Sequence, residues 1–199
     1  MKRLLGIAAI AASLLAAAPA HAVVIGFDDL PTGTIVVPEY YHGLKWANAN
    51  IINKNQYPSS GYPVGTVSGT YAAWGGTNSS HPTTISSEDD PFSFNSGYFT
   101  AAWEEGVQLL IEGFIDDDDV ADYTTTLTLS KTAPLFFEAN WVDLRELRLT
   151  TMRSGGRHVF VIDDLSIGDA APVEVPEPLT LGFLGTGLIG ITAARRRKR

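Results

Sequence analysis

Between residues 23 and 172 no stretch of this chain sustains an apolar stripe of helical period over three turns, whereas period-two alternation recurs throughout. That pattern excludes a helix bundle and a layered α/β fold, and it directs the chain towards antiparallel sheets. Residues 107–115 read as one long strand, residues 116–119 as its turn, and residues 123–129 as a β-branched return strand completing a hairpin. Phe92 and Phe94, then Tyr98 and Thr100, alternate on either side of a turn predicted at Asn95-Ser96-Gly97. Residues 135–138, 146–150 and 158–162 add three further strands, and residues 141–145 could form a single helical turn. The expected fold is all-β: one antiparallel β-sandwich over residues 23–170, jelly-roll-like in its many short strands and turn-rich spacing.

Both ends of the chain depart from this texture. Residues 1–22 carry a basic start at Lys2 and Arg3, an apolar run over 4–18, and a small-x-small ending at Ala20-His21-Ala22. This is the layout of a secretory signal peptide, with a signal helix and a mature chain beginning near Val23. No cysteine follows Ala22, so a lipoprotein anchor is excluded. At the other end, residues 171–178 form a linker containing Val175-Pro176-Glu177-Pro178. An uncharged segment over 179–194 comes next, and five consecutive basic residues over 195–199 close the chain. Sixteen helical residues would reach about 24 Å, short of a hydrocarbon core of roughly 30 Å. Local thinning and snorkelling arginines could still make 179–194 a short transmembrane helix. The basic tail would then stay cytoplasmic and the body outside.

The order of these three parts resembles the PEP-CTERM sorting signal of Gram-negative bacteria. The resemblance implies handling by an exosortase, a membrane enzyme expected to cut near Pro176-Glu177-Pro178. It also implies export across the inner membrane, temporary anchoring, and then a cell-surface or extracellular place associated with polysaccharide.

Charge must be read by segment. The whole chain sums to −8, but seven of its 14 basic residues lie at the two ends. Residues 23–172 hold 7 basic and 20 acidic side chains, a balance of −13. Such a body disfavours nucleic acid, whose recognition needs clustered Lys and Arg. The absence of cysteine removes disulfides, thiolate metal sites and cysteine nucleophiles.

The body opens on Gly26-Phe27-Asp28-Asp29-Leu30 and closes on Val161-Ile162-Asp163-Asp164-Leu165. These phrases resemble the jelly-roll family of secreted carbohydrate-binding modules and MAM-type domains. The resemblance implies that first and last strands lie side by side, and in such modules a structural calcium occurs near those strand ends. Strand alternation allows at most one Asp of each pair, Asp28/Asp29 and Asp163/Asp164, to face inward. One from each strand could help ligate Ca²⁺ with backbone carbonyls. Alternatively these carboxylates cap strand-end N–H groups or face solvent. The run 116–119 with Asp122 lacks the spacing of a calcium loop and reads as a solvated hairpin tip.

Residues 38–78 interleave aromatic rings with amides. Flat rings beside amide donors and acceptors suit sugar recognition, with Trp46, Tyr62 and Trp74 as candidates. The alternative places some of these rings in the core. His42, His81 and His158 are too scattered for a metal-hydrolase signature, and no nucleophile elbow, P-loop or dinucleotide fingerprint occurs. Glu104, Glu105 and Glu112 could supply glycosidase carboxylates, but acidic strand faces offer such pairs without chemistry. The expectation is a non-catalytic surface or matrix protein interacting with extracellular polysaccharide, with a calcium-dependent lectin-like module as the alternative and a secreted glycan-active enzyme third.

Overall fold

The computed structural model describes residues 22–76, 81–88, 90–153 and 157–168. The leader expected at 1–22, apart from Ala22, lies outside them, as do the linker, apolar segment and basic tail expected over 171–199. Among the described residues no helix is long and apolar enough to cross a membrane.

In chain order the elements begin with β1(Val23–Ile25), β2(Tyr40–Tyr41), β3(Leu44–Ala47), β4(Asn50–Asn53), the single-turn α1(Tyr62–Gly65), β5(Tyr71–Gly75) and β6(Thr83–Ser86). They continue with β7(Phe92–Ala101), β8(Val107–Phe114), β9(Tyr123–Leu129), β10(Leu135–Leu144), β11(Glu146–Thr151) and β12(Phe160–Ile167). The strands form two antiparallel sheets. One runs β10-β7-β12-β5-β4 with β1 also on β12, and the other runs β2-β3-β6-β11-β8-β9. Their facing sides make one core, in which Phe94, Phe99 and Phe160 of the first sheet meet Leu109, Ile111, Leu147 and Leu149 of the second, all fully buried. Each such side chain contributes about 1.5–3 kcal/mol by leaving water. The antiparallel β-sandwich read from the alternation is therefore present.

The hairpin of β8 and β9 has the expected register, Val107 opposite Leu129 through Gly113 opposite Tyr123 without a shift. The first and last strands also meet as expected, since Ile25 pairs with Leu165 and Val23 with Ile167. Two local expectations are corrected. Asn95-Ser96-Gly97 is not a turn; β7 runs straight through it. Gly97 serves close approach instead: a Cβ there would lie 3.0 Å from Leu165 and 3.3 Å from the Phe99 ring. Residues 141–145 are not helical either, because β10 continues to Leu144. Asn140 and Asp143 adopt left-handed backbone, and the register shifts between Glu138, Trp141 and Leu144. Those bulges put Trp141 and Leu144 on one face three residues apart, which imitates a helical spacing.

The first sheet buries its outer face as well. The β4–β5 connection, residues 54–70, folds back across it as a strap. Tyr62 joins Ile52, Ala72, Ala102, Val159 and Val161 in a second apolar cluster, flanked by Trp74 and Trp103. Two glycines permit this contact. A Cβ on Gly61 would stand 1.9 Å from the Ala101 carbonyl oxygen, and one on Gly65 2.9 Å from Thr100 and 3.0 Å from Val161. The Gly61 N–H donates to the Ala102 carbonyl at 2.7 Å, fixing the strap to the end of β7.

Candidate functional site

Where the strap leaves the sheet uncovered, an aromatic groove of about 400 Å³ opens. Cross-strand register assembles its floor: Asn50 of β4 faces Trp74 of β5, and Val159, just before β12, lies beside them. Trp103 rises from the turn after β7, and Gln56 and Tyr57 come from the strap. The rings brace one another at steep angles. Tyr57 and Trp103 lie 5.2 Å apart at 68°, Tyr62 and Trp103 5.5 Å at 89°, and Tyr62 and Trp74 6.4 Å at 69°. Edge-to-face pairs of this kind stabilise beyond their buried area and hold the rings in fixed orientations.

Exposure separates the roles. Tyr57 is 44% exposed and Trp74 and Trp103 are half-buried, so three rings are available at the surface. Tyr62 is only 2% exposed; it buttresses the indoles, and burial pushes its phenol above the ordinary tyrosine range. Exposed Ile35 and Val36 extend the groove on one side. Among the described residues the lining contains no carboxylate, ammonium, guanidinium or imidazole; its polar groups are those of Asn50 and Gln56, the tyrosine hydroxyls and the indole N–H groups.

The structure thus brings Tyr62 and Trp74 together and separates Trp46 from them. Trp46 lies between the sheets at 3% exposure, its ring 5.7 Å from Phe27 and its indole N–H donating to the Tyr41 carbonyl at 3.0 Å. A ring enclosed in this way offers no face to a ligand, so Trp46 is a core residue. Trp103 and Tyr57 take its place. Trp103 lies outside the aromatic-rich segment 38–78, although a tryptophan beside Glu104-Glu105-Gly106 in a turn already needs a packing partner.

Three of the four candidate calcium ligands, Asp28, Asp163 and Asp164, surround the far end of the strap. Buried Asp163 stays on the outer face of the sheet, under Ser68, rather than in the core. Its Oδ2 accepts the Ser68 N–H and its Oδ1 the Asp164 N–H, both at 2.9 Å. Burial outweighs these bonds and pushes its carboxyl up to about 7, and Asp164 adds like-charge repulsion. Asp164 accepts the Ser68 hydroxyl at 2.6 Å. Asp28 accepts the N–H groups of Thr70 and Tyr71 at 2.7 and 3.2 Å. Asp29 turns the other way, accepting the Tyr41 hydroxyl and standing 3.2 Å from His42 Nε2. These bonds hold its carboxyl below the usual range, the tyrosine contributing most.

Each carboxylate is thus occupied by donors. Among the described residues no group of three or more His, Asp or Glu converges as a ligand set. The donor set does not fit the calcium site; Asp28, Asp163 and Asp164 instead clamp the strap, and Asp29 ties Tyr41 and His42. The acidic run is the hairpin tip expected of it, with Asp116 and Asp118 accepting N–H groups two residues ahead. His158 and Glu104 stand 3.7 Å apart, and Glu105 accepts the Lys131 N–H, away from the groove.

Comparison with known proteins now places the C-terminus. Residues 174–198 match the PEP-CTERM protein-sorting motif. The motif implies exosortase-dependent sorting, with export, C-terminal anchoring and then display at the cell surface, and the sorting residues Val175, Pro176, Glu177 and Pro178 fall inside the match. They lie outside the described residues. No curated protein matches the chain. Among solved structures, TmCBM61 in complex with beta-1,4-galactotriose is similar over 67% of this chain and 97% of that one, at 11% identity and a TM-score of 0.38.

Proposed function

We propose that this chain is a non-catalytic protein of the Gram-negative cell surface, and that its body holds extracellular polysaccharide in the aromatic groove of Tyr57, Trp74 and Trp103. The observation that carries the reading is the groove itself: three accessible rings with two amides beside them on one face. A pyranose presents an apolar face of C–H groups that an indole can cover, while its hydroxyls need the neutral donors and acceptors that Asn50 and Gln56 supply. Support for a non-catalytic role comes from the same lining, because glycoside cleavage needs a paired acid and base and, among the described residues, the groove is lined by neither carboxylate nor imidazole.

The test is affinity electrophoresis and a glycan array with the exported protein and its Trp74→Ala and Trp103→Ala variants. Retention by at least one extracellular polysaccharide is expected, weakened roughly five- to thirtyfold in either variant, since a stacked ring contributes on the order of 1–2 kcal/mol. Retention unchanged in both variants, with folding intact, would overturn the assignment.

A further inference from the structure

Sheet edges expose unpaired N–H and C=O groups, and most proteins blunt them with bulges, charges, proline or a covering segment. Three of the edges here follow that practice. Strand β4 is covered by residues 35–37, through the Val36–Asn50 bridge and the Ile51 N–H donating to the Ile35 carbonyl at 3.0 Å. Strand β10 is broken by its two register shifts and by the left-handed Asn140 and Asp143. Strand β2 is two residues long.

Strand β9 is different. It ends its sheet, spans seven residues in unbroken register, and reads Tyr-Thr-Thr-Thr-Leu-Thr-Leu, without charge, proline or glycine. Thr124, Thr126 and Thr128 stand exposed on its outer face.

The geometry points to β9 as a self-association edge, pairing antiparallel with β9 of a second copy about a two-fold axis to join two sheets into one. Charge favours this occupant and this orientation. Asp122 and the run 116–119 lie at the start of β9, and Lys131 lies two residues past its end. Antiparallel pairing sets the acidic end of each copy against Lys131 of the other, while parallel pairing would put the acidic ends together. Among the described residues the Lys131 ammonium has no carboxylate within salt-bridge distance in its own chain. Two-fold symmetry also makes the contact closed, so that one edge satisfies one edge and a dimer forms rather than a fibre. Full overlap of seven residues centres the axis on Thr126, so that Thr126 faces itself and Thr124 faces Thr128 of the second copy.

Because the chain contains no cysteine, a single introduced thiol reports this contact. In cells producing the full chain, Thr126→Cys should give a disulfide-linked dimer on a non-reducing gel under mild oxidation, well above Met152→Cys, an equally accessible control. Charge then tests the register. In the Thr126→Cys background, Thr124→Lys with Thr128→Lys places like charges opposite each other and should cut the yield about tenfold, whereas Thr124→Lys with Thr128→Glu should retain it. All three threonines are exposed, and circular dichroism confirms that each variant is folded. Cross-linking at Thr126→Cys no greater than at Met152→Cys would overturn the proposal. Equal yields in the two charge backgrounds, or an adduct whose mass is not twice that of the chain, would overturn it too.

Discussion

Asp163 makes the stability of the fold depend on pH in the sense opposite to most surface carboxylates. Its carboxyl is fully buried on the outer face of the first sheet, and its folded pKa of about 7 compares with an ordinary 3.8. Below about pH 4 the group is protonated in both folded and unfolded chains. Between about pH 4 and 7 the folded chain keeps a proton that the unfolded chain has lost, so stability falls as pH rises through that window. The difference in pKa corresponds to about 4 kcal/mol, fully lost above pH 7. Asn cannot ionise, so Asp163→Asn removes this dependence. Its oxygen still accepts the Ser68 N–H, but its NH₂ would confront the Asp164 N–H, a pH-independent penalty of about 1–2 kcal/mol. The variant should therefore melt below the parent at pH 4 and above it at pH 8. For a body of this size the difference should change by about 10 °C across the range. Asp29, Glu88 and Glu105, whose carboxyls are lowered by hydrogen bonds, titrate in both proteins and largely cancel in the comparison. Thermal unfolding followed by circular dichroism at half-unit pH steps is the assay. Parallel melting curves, with a constant offset from pH 4 to 8, would refute the argument.

Two further substitutions probe the division between core and groove. Trp46→Ala should cost about 3–5 kcal/mol, as for other large core aromatics, while Trp74→Ala at the half-exposed groove should cost no more than about half of that; chemical denaturation of the two variants side by side checks the order. Gly61→Ala forces a methyl group against the Ala101 carbonyl, so the strap must lift. A loss of about 1–3 kcal/mol is expected, with weakened polysaccharide retention although no groove residue has been changed.

What the sequence displayed well was long, regular alternation; the four-residue strands β3 and β6 alternate too, but over too short a run to read. The β8–β9 hairpin alternates cleanly and pairs without a shift, so both its strands and its acidic tip could be read directly. The meeting of the first and last strands was implied by the jelly-roll resemblance that their Asp-Asp phrases carry. Irregular backbone was not legible. A left-handed residue such as Asn140 or Asp143 costs the sequence no distinctive letter, yet it moves every later side chain to the other face of the strand. The site suffered in the same way. Trp46 and Trp74 are both tryptophans among amides, and only sheet assignment shows that one points between the layers and the other away from them.

The Asp163-Asp164 pair shows how such an irregularity serves the site. Val161 and Asp163 share the outward phase of β12, under the strap, and strict alternation would then send Leu165 outward as well. Asp164 adopts φ 46° instead, and the pairing with β7 shifts between Asp163 and Ser166. The bulge returns Leu165 to the core and leaves both carboxylates beside Ser68. Acidic groups that resemble a metal site in the sequence thus act as acceptors for a loop whose N–H groups would otherwise be unpaired. With Asp28 they hold the far end of the strap, while Gly61 and Tyr62 fix its near end against the indoles. The shape of the groove therefore depends on a buried carboxyl group several residues away along β12, and a substitution at Asp163 should be felt at Tyr57 and Trp103 without touching either.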